Sequence, residues 1–198
     1  MAADDSHLTE KRLGGRTLLS GGFLEVHKDD VSLPDGSHAT REYIRHGGAV
    51  AVVPLLDDGR LVLVRQYRYP TGKVLLEIPA GKLDPGEAQL ACAQRELQEE
   101  TGFIAREWAF GGEIHNAAAY SSESIWLWLA RGLVPGPARP DVGEFVETVT
   151  MTLAELEAVH DRGGLPDVKT QLALHWLLRA QVTGRRWPWQ HAGVPGPL

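Results

Sequence analysis

The segment from Gly81 to Phe103, GKLDPGEAQLACAQRELQEETGF, constrains this chain more than any other stretch. Asp84 suits an N-cap, Pro85 suits the first helical position, and Glu87 stands where its carboxylate can return to the cap. These features predict a helix from Asp84 to about Thr101, ended by Gly102. On a wheel of about 100° per residue, Glu100 lies about 40° and Glu99 about −60° from Glu96, so three carboxylates share one face. Leu90, Ala93 and Leu97 fall on a neighbouring face suited to packing on a sheet. Carboxylates this close repel one another, and they sit at a helix C-terminus, where the macrodipole favours cations. A bound divalent ion offsets both penalties, and hard oxygen ligands suit Mg²⁺ or Mn²⁺.

Around this helix the chain reads mainly as strands. Gly22–His27 alternates and leads through Asp29 and Asp30 into Val31–Leu33, with a turn at Pro34-Asp35-Gly36. Arg41–Arg45, Ala49–Leu56 and Leu61–Tyr67 follow, the last two joined by Asp57-Asp58-Gly59, a hairpin signal. Val74–Ile78 ends at Pro79. After the helix come Glu107–Ile114, Glu123–Ala130 and Phe145–Met151. Thr152 and Glu155 form a capping box for one late helix. Asp167 caps another, whose apolar face carries Leu172, Leu174, Leu177 and Leu178. The fold class expected is α/β (α+β), with mixed strands and few helices.

Composition narrows the function. The formal charge of −6 argues against a nucleic-acid partner bound through its phosphate backbone. Cys92 is the single cysteine, so an intramolecular disulfide or a thiolate zinc cluster is excluded. The polar start, MAADDSHLTEKR, differs from a signal peptide, and no apolar run reaches the roughly 20 residues of a membrane span. The expectation is a cytoplasmic protein with neither membrane nor nucleic acid as partner.

An acidic run on a helix is usually a solvated face. Here Gly81, Glu87, Arg95, Glu96, Glu99, Glu100 and Gly102 all fit one longer pattern: Gly, five residues, Glu, seven residues, Arg-Glu-aliphatic-x-Glu-Glu-x-Gly, then a bulky apolar residue. A chance match to those seven residues is on the order of one in a million or less at ordinary residue frequencies. The segment resembles the box of the Nudix hydrolase superfamily. That resemblance implies a mixed sheet sandwiched between helices, and metal held by Glu96, Glu99 and Glu100 with the Ala80 carbonyl. It implies too that Arg95 orients the carboxylates, that Gly81, Glu87 and Gly102 shape the box, and that Mg²⁺ (or Mn²⁺) assists attack of water on phosphorus.

The flanks VRQYRYP and LEIPAG, with FLEVHKDDVSLPDG and GGLPDVKTQLALHWLL, are similar to the ADP-ribose pyrophosphatase branch. By that likeness residues 1–45 form a small antiparallel β extension used in homodimers, and residues 46–198 form the catalytic domain. Arg41 and Arg68 are candidates to meet the substrate, since guanidinium forks suit a diphosphate. His115 is a third candidate, lining the cleft. Glu144 holds the place of the late acidic residue that serves as base or metal ligand, with Glu147 and Asp141 as alternatives. The branch carries a proline where this chain has Ala118. Sugar nucleotides such as GDP-mannose or UDP-glucose therefore compete with ADP-ribose as substrate, and a non-catalytic nucleotide-binding module is the rival from another class. The sequence leaves the role of Trp187 and Trp189 open.

Overall fold

The computed structural model describes residues 4–137, 143 and 145–191. The chain folds into two compact units, residues 1–48 with 115–124, and residues 49–114 with 125–198. The first unit therefore takes in ten residues beyond the N-terminal stretch, the loop that begins at His115.

In the first unit β1 (Lys11–Ser20), β2 (Glu25–Ser32) and β3 (His38–Arg45) form an antiparallel sheet in sequence order. Alternate residues of β2, His27, Asp29 and Val31, are buried on one face. An aspartate survives there because Arg12 Nε donates to it at 2.8 Å and the Tyr43 hydroxyl at 3.2 Å. The pair of aspartates thus lies inside one continuous strand, not between two short ones. Sequence reasoning missed β1, which has almost no buried side chains and hence no apolar alternation. Ser121 bridges to Ile44, which ties the 115–124 loop to β3 within this unit.

The second unit is built on two sheets. One has the order β11-β8-β9-β4-β7, from β4 (Ala49–Pro54), β7 (Ala80–Lys82), β8 (Phe103–Ile114), β9 (Ile125–Pro135) and β11 (Gln190–His191). β4 pairs parallel to β9 and antiparallel to β7. β4 is buried on both faces, which is why it reads as an unbroken apolar run. Val50 and Val52 join Cys92, Ala93 and Leu97 of α1 (Gln89–Thr101) in one cluster. Ala51 and Val53 join Leu156 of α2 (Leu153–Asp161) and Leu174 of α3 (Val168–Thr183) in the other. The mixed sheet is sandwiched between helices, as expected. The second sheet, β10-β5-β6, comprises β10 (Val146–Met151), β5 (Leu61–Arg68) and β6 (Lys73–Glu77).

The capping box at Thr152 and Glu155 forms in both directions, and Asp167 accepts from the Thr170 amide at 2.9 Å. The start of α1 differs from expectation. Asp84 does not cap it; the helix opens at Gln89, with Ala88 at the N-cap. Asp84-Pro85-Gly86-Glu87 is instead a turn closed by Glu87 N–H to Asp84 C=O at 3.0 Å. Gly86 has φ +82°, which no helix can include, so proline and glycine occupy the central positions of a type II-like turn. Glu87 still reaches the Asp84 amide, at 3.0 Å, but it closes a loop rather than a helix end. Gly102 ends α1 in the left-handed region, as expected. Trp187 and Trp189 pack on the second unit's core, and Arg131 lies over the Trp189 ring at 4.2 Å. Among the described residues no helix is long and apolar enough to cross a membrane.

Candidate active site

The loop after β7 and the last turns of α1 bring the acidic residues together around Arg95. Its Nε and Nη2 grip the Glu87 carboxylate at 3.0 and 2.9 Å. Nη1 reaches Glu96 at 2.8 Å and Glu99 at 2.9 Å, and Nη2 also donates to the Lys82 carbonyl at 3.0 Å. One guanidinium thus ties the loop, through Glu87 and the Lys82 carbonyl, to two carboxylates of the helix. Hydrogen bonds from Arg95 outweigh partial burial and hold the Glu87 carboxyl down to about 2. The same bonds, with Glu87 foremost, raise Arg95 above its ordinary value.

Glu96 and Glu100 are buried, whereas Glu99 is partly exposed. Glu96 lies directly against Gly81: a Cβ there would stand 1.9 Å from its Cδ and Oε1. No residue but glycine leaves room for that carboxylate. Glu100 accepts from the Ala80 amide at 3.1 Å, so its carboxylate lies beside the main chain of β7. The Thr148 hydroxyl of β10 donates to the Glu100 carbonyl at 3.2 Å and braces the end of the helix.

This donor set fits a hard divalent cation: buried carboxylate oxygens, an adjacent main chain, and an excess of negative charge over the single guanidinium. Among the described residues no three acidic, histidine or cysteine side chains converge closely enough to chelate an ion alone. Glu96 and Glu99 fold onto Arg95, the cation within reach, so a carbonyl and waters must complete any shell. Cys92 is buried and donates to the Lys82 carbonyl at 3.3 Å; burial pushes its thiol up, which leaves a packing residue rather than a ligand.

The other described candidates are divided between the two units. Arg68 forks onto Glu77, Nε to Oε1 and Nη2 to Oε2, both at 2.8 Å. Arg41 belongs to the first unit, where Nε donates to Glu10 at 2.9 Å. His115, in the same unit, is exposed, with Nδ1 3.1 Å from the Glu123 carbonyl oxygen. Glu147 pairs with Arg65 at 2.5 Å on an exposed surface. Glu144 and Asp141 lie outside the described residues.

Sequence reasoning missed a buried ionic chain beside this site. Glu77, buried in an otherwise apolar strand end, binds Arg68 and also Lys169 of α3. Lys169 continues to Asp167 at 2.7 Å, and the Thr170 hydroxyl accepts the Ile78 amide at 2.8 Å. The available signal was the acid within VLLEI, an apolar run that has no room for an unpaired charge.

The NUDIX domain pattern matches residues 45–171, well over half of the chain. The chain belongs to the Nudix hydrolase family. It is 34% identical to an ADP-ribose pyrophosphatase of Bacillus subtilis (strain 168) over 172 residues, 86% of this chain and 93% of that protein. It is 36% identical to a methanol dehydrogenase activator of Bacillus methanolicus over 170 residues, 85% of this chain and 92% of that protein. A crystal structure of an ADP compounds hydrolase superposes with a TM-score of 0.78 at 28% identity, covering 89% of this chain and 96% of that one. Nudix hydrolases act on pyrophosphate bonds and depend on divalent metal.

Proposed function

We propose that this Nudix hydrolase cleaves ADP-ribose to AMP and ribose 5-phosphate, with Mg²⁺ as its ion. The observation that carries the reading is the arrangement of Glu96 against Gly81 and Glu100 against the Ala80 amide, which turns both carboxylates towards β7 and away from solvent. Glu96, Glu100 and the Ala80 carbonyl are the proposed ligands, with Glu99 assisting. When bound, the ion neutralises diphosphate charge and makes a water more acidic. Arg95 holds the carboxylates in place. Arg68 meets the diphosphate. Glu144 takes the proton from the attacking water. One water adds across the phosphoanhydride, breaking a single P–O bond and leaving two phosphate monoesters.

The choice of ADP-ribose is supported by the relative from Bacillus subtilis and by the solved ADP compounds hydrolase. The homodimer is supported by Leu13, Leu18, Leu19 and Phe23 of the first unit, all exposed apolar residues. Light scattering should give twice the chain mass; a monomer would contradict it. The substrate test is a hydrolysis panel of ADP-ribose, GDP-mannose, UDP-glucose and NADH with Mg²⁺, reading products by chromatography. Highest kcat/KM on ADP-ribose with AMP as product is expected. Preference for a sugar nucleotide would overturn the substrate, and no turnover of any compound would leave a nucleotide-binding module.

A further inference from the structure

Glu77 is about as costly a residue as the second unit's interior contains. Its side chain is 2% exposed, one residue before the fully buried Ile78. Burial pushes its carboxyl up, yet Arg68 and Lys169 together draw it below the ordinary range, so it is charged. Glu77 and Asp167 balance Arg68 and Lys169. Such a neutral buried chain adds little stability over well-packed apolar residues, so its value lies in what it orients.

What it orients is Arg68. Two parallel hydrogen bonds to Glu77 fix the plane of the guanidinium, and a forked pair leaves it no freedom to rotate. The Arg68 side chain is still 38% exposed, and among the described residues Nη1 has no hydrogen-bond partner. The row Thr148, Val64, Glu77 runs across β10, β5 and β6, and Thr148 holds the Glu100 carbonyl, so Arg68 lies on the side of the sheet that meets the acidic cluster. Lys169, 8% exposed, anchors Glu77 from the first turn of α3, and Asp167 anchors Lys169 while it caps that helix.

We infer that the first turn of α3 is a positioning element for substrate: Lys169 fixes Glu77, and Glu77 aims the remaining Arg68 donor at the diphosphate. This rests on the reading of Arg68 as a diphosphate-binding residue. Lys169 and Glu77 are positioning residues and touch no substrate themselves. Helix packing and phosphate recognition are coupled through one buried carboxylate.

The test is a double-mutant cycle on full-length protein, with ADP-ribose and Mg²⁺. Arg68→Ala should raise KM about 30-fold, the loss of one charge-assisted contact. Lys169→Met should raise KM about tenfold with kcat nearly unchanged, and Lys169→Arg should restore most of it. In the Arg68→Ala background, Lys169→Met should add almost nothing to KM. If Lys169→Met fails to fold, Glu77→Gln is measured in its place with the same expectation. An Arg68→Ala protein with unchanged KM would overturn the substrate role of Arg68, and with it the inference. A large effect of Arg68→Ala with additive effects of Lys169→Met would overturn the positioning role alone, as would a loss confined to kcat and melting temperature.

Discussion

Replacing Gly81 by alanine adds one methyl group at the closest approach in the site. The new Cβ would lie 1.9 Å from Glu96 Cδ and Oε1 and 2.2 Å from Oε2. Ordinary contact begins near 3.4 Å, so the carboxylate or β7 must retreat by roughly 1.5 Å. β7 is hydrogen-bonded to β4, and Glu96 is tethered to Arg95, so neither moves without losing a bond. Overpacking of this kind costs about 1–3 kcal/mol, which a domain of this size survives. A displacement of about 1 Å in a catalytic constellation is enough to cost about a hundredfold in rate. The variant is therefore expected to fold, with a melting temperature a few degrees lower, and to lose about a hundredfold or more in kcat. Circular dichroism melting and steady-state hydrolysis with Mg²⁺ measure both. Wild-type kcat in a folded Gly81→Ala protein would refute the claim that Glu96 works from its seat on Gly81.

Three further outcomes follow from other contacts. Glu87 is held down to about 2 on folding, below an ordinary 4.5, so its contribution to stability is present above that ordinary value and is lost as pH falls through about 2. That single group is worth about 3 kcal/mol between pH 5 and 2, and Arg95→Met should flatten this part of the stability profile; parallel profiles in urea denaturation would count against it. Thr152→Ala removes the capping box of α2 and should cost about 1 kcal/mol of stability with activity unchanged. An equal loss of kcat would show that α2 has a role not described above. Glu100→Gln keeps the shape but halves the charge-bearing oxygens beside Ala80, and should lower kcat by at least about a hundredfold. Near-normal kcat at saturating Mg²⁺ would remove Glu100 from the proposed ligands.

Much of the fold was legible because burial leaves periodic traces. β4 reads as a continuous apolar run because both its faces are covered, and α3 shows its buried leucines at helical spacing. Capping at Thr152 and Asp167 is local chemistry and needs no tertiary context. The start of α1 misled because Asp-Pro-x-Glu satisfies a helix cap and a β-turn alike; the glycine at 86 decides between them through its backbone angle. β1 left no apolar trace, since its side chains are mostly exposed and it pairs with β2 through the main chain, with Arg12 adding one side-chain bond to Asp29. The acidic helix face was legible from spacing, but the grip of Arg95 on Glu87, Glu96 and Glu99 at once depends on how the loop folds back. Glu77 and Lys169 stand 92 residues apart, and no local pattern joins them.

The most direct test is a crystal structure with Mg²⁺ and a non-hydrolysable ADP-ribose analogue. Oxygens of Glu96, Glu100 and the Ala80 carbonyl are expected at about 2.1 Å from the ion, which contacts the diphosphate. An ion coordinated elsewhere, with Glu96 still on Arg95 and Glu100 still on the Ala80 amide, would contradict the account.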